Sequence, residues 1–358
     1  MTAERLRVAL VGCGEIGAIR AAAMARSPDV QLTVACDVDA KRAEALARRH
    51  RCEAAVDWQK AVARHDVDIV DVATPTRWHV DVAVAAARQG KHVLVEKPLA
   101  RDVAEAERIV AAARESGVKL KTGFNHRYYL AVEAAKRAMD AGAIGELMFV
   151  RSAIGHEGGD EFLAKWMTRA EIAGGGTLLD NGIHILDLTR YFLGEVAEAE
   201  GLVATTRWNV GPLEDNAFAL FRSPDGKIAS LCSSWTEWAG YRFMIEAYGT
   251  KGFVQAAYPP MRATIGVNRQ SGRPAHKRRL LFPRFQVQER LQGYWMTSRQ
   301  TFVREFADFA GAIRSGGSVF SSGDDGLRAN EMAYAVYEST RTGARVKLAD
   351  RRLPGAHD

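Results

Sequence analysis

Two hydrophobic periods alternate along the first third of the chain. Short β-branched apolar runs at residues 7–11, 32–36, 69–73, 93–95 and 118–122 predict strands. Ala-rich stretches at 16–26, 40–49, 80–88 and 103–115 repeat apolar positions at helical spacing. Strands separated by helices imply βαβ units and a parallel sheet. Right-handed crossovers make that sheet doubly wound.

The pattern changes at Gly123-Phe124-Asn125. A helix is predicted over 129–140, followed by strand-like runs at 146–154, 195–205, 216–221, 227–233, 242–248 and 252–255. Ser223-Pro224-Asp225-Gly226 separates two of these runs and is a hairpin signal. This part reads as a mostly antiparallel sheet carrying an inserted helix over 179–192. Helices near 302–314 and 326–341 close the chain, and 259–296 reads as irregular. The expected class is α/β, with a doubly wound parallel sheet over 1–124 and an α+β domain with a large, mostly antiparallel sheet over 125–358. The closing helices are allowed to pack back near the first domain.

Composition narrows the classes. Of 358 residues, 47% are hydrophobic and 26% charged, which excludes a disordered or collagen-like chain. No apolar run has the length of a membrane span, so no membrane partner is expected. The four cysteines, Cys13, Cys36, Cys52 and Cys232, show no C-x-x-C spacing, which fits a reducing cytoplasm. Arg5 and Arg7 precede an apolar run as in a leader, but Glu15 and Arg20 interrupt it and no cleavage site follows. The net charge of +6 favours anionic partners only weakly. Its one dense run, His276-Lys277-Arg278-Arg279 with Arg284, reads as a solvated loop or subunit contact, and no nucleic-acid partner is expected.

Four segments carry candidate chemistry. Gly12-Cys13-Gly14-Glu15-Ile16-Gly17 joins a predicted strand to a predicted helix. Glycines there allow a tight turn and let a pyrophosphate approach the backbone, while the helix start supplies N–H donors. Asp37 follows Gly17 by 20 residues, at the end of the second strand, where an acid accepts from a ribose diol. Its charge would repel a 2′-phosphate, so NAD is expected rather than NADP, with Lys41 and Arg42 near enough to soften the preference. Thr74-Pro75-Thr76 and His79 follow the next strand at its ligand-binding end, although a plain helix start explains Thr-Pro-Thr equally well. Glu96-Lys97-Pro98 ends the strand after that. Its lysine can donate to a substrate hydroxyl, a surface lysine being the other reading, and its Lys-Pro bond is a candidate cis peptide.

Gly174-Gly175-Gly176-Thr177-Leu178-Leu179-Asp180-Asn181-Gly182-Ile183-His184 is the most informative segment. The glycines make a mobile or closely approached backbone. Asp180 and His184 stand at i and i+4 on one predicted helix face. Asp187, three residues on, could orient the imidazole, which suits a general base near neutral pH. A structural histidine is the alternative. A metal pair is another, but the sequence offers no third ligand and no metal is expected.

Together, the turn at 12–17, Asp37, Glu96-Lys97-Pro98 and the 174–184 segment resemble the glucose–fructose oxidoreductase/inositol dehydrogenase/rhizopine catabolism (Gfo/Idh/MocA) family. The likeness covers nearly the whole chain. It implies a Rossmann domain binding NAD through Gly12, Gly14, Glu15, Ile16, Asp37, Thr74, Pro75, His79, Glu96, Lys97 and Asn125. It implies catalysis by Lys97, Asp180 and His184. It also implies a small polyhydroxylated substrate contacted by those three residues with Arg127, Tyr128, Trp166 and Asn181. Gly123-Phe124-Asn125-His126-Arg127-Tyr128 matches the family's cofactor–substrate junction, and Trp166 its tryptophan near the nicotinamide. Met167 stands where many members have arginine, with Arg169 two residues on. The resemblance implies a sugar, cyclitol or glycoside dehydrogenase. Family relatives leave two other classes open, a glycosidase acting through transient ring oxidation and a non-catalytic dinucleotide-binding regulator. Members pair through the second sheet, so a homodimer or homotetramer is expected, with Trp235, Trp238, Phe243 and Tyr248 on candidate strands.

Overall fold

The computed structural model describes residues 4–268 and 276–349. They divide into two compact units, Met1–Asn125 with Gln288–Leu327, and His126–Val287 with Arg328–Asp358.

The first unit holds six parallel strands: β1 Leu6–Val11, β2 Val30–Cys36, β3 Glu53–Ala55, β4 Ile69–Val72, β5 His92–Val95 and β6 Leu120–Thr122. Their order is β3-β2-β1-β4-β5-β6. The reversal between β1 and β4 is the switch point where doubly wound sheets take ligands. Alternation along β1 fills both faces. Val8 and Leu10 pack into a layer with Met24, Phe302, Phe306 and Phe309. Ala9 and Val11 face a layer with Val72, Val95 and Ile109. The three phenylalanines lie on the helix Trp295–Ser315, which packs on Glu15–Met24.

The second unit holds nine strands: β7 Leu147–Gly155, β8 Glu198–Ala204, β9 Asn216–Arg222, β10 Ile228–Ser234, β11 Arg242–Gly249, β12 Gly252–Tyr258, β13 Arg262–Val267, β14 His276–Leu281 and β15 Val346–Lys347. Their order is β14-β13-β12-β11-β7-β10-β9-β8-β15. Only β7 and β10 pair in parallel. The Pro-Asp-Gly turn forms as expected, with Gly226 at φ +88° and Ile228 opposite Arg222. Ala217, Ala219 and Phe221 are buried, whereas Phe218 and Leu220 between them are exposed. The buried face carries the helices Leu130–Asp140 and Gly182–Leu193.

Three expectations are corrected. The region read as irregular contains β13, β14 and the helix Pro283–Gln292, while residues 269–275 lie outside the described set. β14 is an edge strand with no buried side chain, so it pairs by backbone alone and shows no burial period. The basic run is therefore mostly strand rather than loop. The single helix expected over 179–192 is two, Thr177–Asp180 and Gly182–Leu193. At the break, a Cβ on Gly182 would meet Ser233 at 3.0 Å, so this stretch lies hard against β10.

Candidate active site

In the first unit, β1 runs into Gly12, whose φ of +105° only glycine adopts easily. A side chain there would collide with Ala73 O at 2.4 Å. Gly14 caps the helix Glu15–Met24 with no side-chain hydrogen bond, and a Cβ on it would meet nothing within 4 Å. The start of this helix, with Glu15 and Ile16 exposed beside it, suits an anion from outside. Asp37 follows β2 directly, with its carboxylate held toward the turn. It accepts from Cys13 N at 2.7 Å and Asp39 N at 2.9 Å. Arg42 pairs with Asp39 at 3.4 Å. An open amide cradle with an acid at the end of the neighbouring strand fits NAD.

His79 sits between the loops after β4 and β5. Its Nε2 lies 2.9 Å from Thr74 O and its Nδ1 3.0 Å from Pro98 O. The ring is 1% exposed, and burial pushes its pKa down. The ring lies between two backbone carbonyls, one in the loop carrying Thr74 and Pro75 and one beside Lys97, and as a neutral imidazole it donates to one of them. The Lys97-Pro98 bond is cis. Glu96 is buried and accepts from Arg20 and from Lys97 N. Asn125 donates to Thr301 Oγ1 at 3.2 Å.

In the second unit, the glycine run is closely packed. A Cβ on Gly176 would lie 2.0 Å from Glu214 O, and one on Gly175 would lie 2.3 Å from the Tyr337 hydroxyl. The buried carboxylate of Glu214 accepts from Gly176 N at 3.0 Å, Leu178 N at 2.9 Å and the Tyr337 hydroxyl at 3.0 Å. Glu214 thereby caps the segment that leads to Asp180 and His184. Sequence reasoning missed it because it lies 38 residues from the amide it binds.

His184 is in the first turn of Gly182–Leu193. Its imidazole stacks on His126 with ring centres 3.8 Å apart and planes at 23°. His126 is braced by Tyr129 at 4.4 Å and Phe243 at 5.3 Å. Asp187 accepts from Arg127 through both oxygens, at 2.8 and 2.6 Å. Arg127 is 5% exposed, with its guanidinium 4.9 Å from the Tyr191 ring. This fork fixes the helix that carries His184. Tyr128 is buried, whereas Asp180, Asn181 and Trp166 are half-buried. Among the described residues no cluster of three His, Cys, Asp or Glu side chains suits a metal ion.

A glycine turn followed by an acid after the next strand in one unit, and a braced histidine segment in the other, are features that a dinucleotide-dependent oxidoreductase would carry. The oxidoreductase family with an NAD-binding Rossmann fold matches residues 6–124, and the GFO/IDH/MocA C-terminal domain matches 132–255. The chain belongs to the Gfo/Idh/MocA family, and NAD is the cofactor of its first unit. Inositol 2-dehydrogenase of Rhizobium meliloti is 29% identical, over 96% of this chain and 99% of that protein. 2,7-Anhydro-N-acetylneuraminate hydratase of Escherichia coli is 30% identical, over 75% of this chain and 71% of that protein. Levoglucosan dehydrogenase in complex with NADH and levoglucosan superposes with a TM-score of 0.86 at 25% identity, over 96% of this chain and 99% of that one. No helix among the described residues is long and apolar enough to cross a membrane.

Proposed function

We propose that the protein is an NAD-dependent dehydrogenase that oxidises a secondary hydroxyl of a sugar, cyclitol or glycoside. The observation that carries this reading is the segment capped by Glu214, which presents Asp180 and the His126-braced His184. The relatives support the substrate class, since the names of all three refer to polyhydroxylated rings.

Oxidising such a carbon removes a hydride from carbon and a proton from oxygen, and bound NAD supplies the hydride acceptor. His184 takes the hydroxyl proton as general base. Lys97 donates a hydrogen bond to that oxygen as negative charge develops. Asp180 accepts from a neighbouring hydroxyl, with Asn181 and Trp166 completing the substrate's polar and aromatic contacts. Arg127 serves through the helix that its pairing with Asp187 fixes, and Tyr128 contributes to the substrate contacts. The test is a panel of myo-inositol, levoglucosan and methyl glucosides with NAD, read by NADH absorbance. Turnover of at least one ring, with none of a simple aliphatic alcohol, is expected. Equal rates on aliphatic alcohols would overturn the assignment.

The hydratase relative favours a second reading, in which NAD is used without net reduction. Loss of an aglycone or of water from the ring with no accumulation of NADH would select it.

We also propose a homodimer or homotetramer formed through the outward face of the second sheet. Leu202, Phe218, Leu220 and Ile228 are exposed there, and the rings of Phe149, Tyr248 and Phe253 stack in a row at 4.7 and 5.4 Å. Such a contiguous apolar patch marks an interface. Of the aromatics considered from sequence, Tyr248 lies on this face, whereas Trp235 and Phe243 are buried and Trp238 falls outside the strands. Light scattering at micromolar concentration should exceed the monomer mass. A cytoplasmic location is part of the proposal, supported by four free cysteines.

A further inference from the structure

Three carboxylates in the first unit converge on one guanidinium. Arg20, on the helix Glu15–Met24, has no exposed surface. Its Nε donates to both oxygens of Asp71, at 2.9 and 2.7 Å. Its Nη1 donates to Glu96 Oε1 at 2.6 Å and to Glu305 Oε2 at 3.0 Å. The rings of Phe302 and Phe306 lie 4.7 and 5.1 Å from the guanidinium carbon. These partners come from β4, from the end of β5 and from the helix Trp295–Ser315. A buried ion cluster is a poor way to gain stability, because well-packed apolar side chains usually do as well. What it supplies is fixed direction. The planar fork sends Nε one way and Nη1 another, which an ammonium cannot do.

Glu96 carries that direction to the loop. It is the only one of the four with any exposure, at 8%. While Oε1 is held by Arg20, Oε2 accepts from the backbone N–H of Lys97 at 3.2 Å. Gly123 keeps this slot open, since a Cβ there would come within 3.3 Å of both Glu96 Cα and Oε2. Asp71 and Glu305 anchor the far side of the guanidinium. Burial pushes Asp71 up to about 6 and Glu305 up to about 7, against the opposing pull of Arg20 and, on Glu305, of Lys121.

We propose that Arg20 is a positioning residue for Lys97, acting through Glu96 to fix the backbone from which the lysine projects. The proposal rests on the role given to Lys97 above. The test compares wild type with Arg20→Lys, and with Asp71→Asn, which loosens the guanidinium from its far side, should the first variant not fold. Three quantities are read: NADH affinity by fluorescence titration, kcat per NADH-binding site on the best ring of the panel, and hydrogen exchange of a peptide spanning 92–99. Counting sites with NADH removes any loss that comes only from a smaller folded fraction. NADH affinity should stay within about threefold, while kcat per site falls about tenfold or more, as a small misplacement of a reacting group allows. The Lys97 peptide should exchange faster in the variant. Unchanged exchange, or faster exchange with unchanged kcat per site, would overturn the proposal. If wild type turns over no ring, the dehydrogenase reading fails by itself, and exchange at Lys97 alone decides whether Arg20 holds the loop.

Discussion

The chain contains two glycine-rich turns that lead into helices, and they are finished in opposite ways. At Gly12 to Gly17 the helix start has no side-chain cap, and Gly14 faces open space. At Gly174 to Gly176 the protein supplies its own anion, because the Glu214 carboxylate takes the amides of Gly176 and Leu178. The first turn is built to receive a negative group from solution. The second is closed, and what it offers is the rigid placement of the residues that follow. A glycine run before a helix therefore does not define a phosphate site. The discriminating feature is whether a buried carboxylate of the protein takes the amides at the helix start, as Glu214 does, whereas Asp37 takes only the Cys13 amide within its turn.

The two turns should fail differently when altered. The largest effect is expected downstream of the second. His184→Ala should lower kcat by about 10²–10⁴-fold, the usual contribution of a general base. Glu214→Ala should lower stability by about 2–4 kcal/mol in chemical denaturation, since it strands two buried amides and the Tyr337 hydroxyl. A midpoint like that of wild type would show that this cap is dispensable. Gly14→Ala should leave the melting temperature nearly unchanged yet weaken NADH binding about tenfold, because its Cβ enters only the open cradle. Asp37→Ala should shrink the preference for NAD over NADP about tenfold or more, as expected for losing charge-assisted hydrogen bonds to a diol. Wild-type preference for NADP would contradict that role.

A smaller effect separates the buried acids of the first unit from the exposed ion pairs around them. Burial raises Glu305 from its ordinary range to about 7. The folded state then holds a proton that the unfolded chain releases, so this contribution is complete below about 4.5 and is lost as pH rises through about 7. Glu305→Gln should flatten the fall in melting temperature between pH 5 and pH 8. An equal slope in wild type and variant would remove Glu305 as its source.

Much of this architecture was legible locally. The β-branched runs of the first unit stand because parallel strands are buried on both faces, which leaves long apolar signatures. The hairpin at Gly226 was legible because positive φ selects glycine. β14 was not, because a strand without buried side chains has no burial period. The break at Asn181 was not, since the close approach of Gly182 to Ser233 beside it comes from a distant strand and leaves no local signal. Lys97, Asp180 and His184 stood out through short motifs. The groups that hold the surrounding loops and helix did not. Arg20 finds partners at 71, 96 and 305, and His126 meets His184 only through folding of the second unit. Residues that act by tertiary contact carry no local spacing to read.

The most direct test of the division of labour is a paired measurement on wild type and His184→Ala. NADH dissociation constants and the pH profile of kcat/KM are recorded under the same conditions. NADH affinity should match, because the turn at Gly14 and the carboxylate of Asp37 are untouched. The wild-type profile should rise through an ionisation that the variant lacks. A variant with normal kcat and an unchanged profile would return His184 to a structural role and shift the acid–base assignment to Lys97.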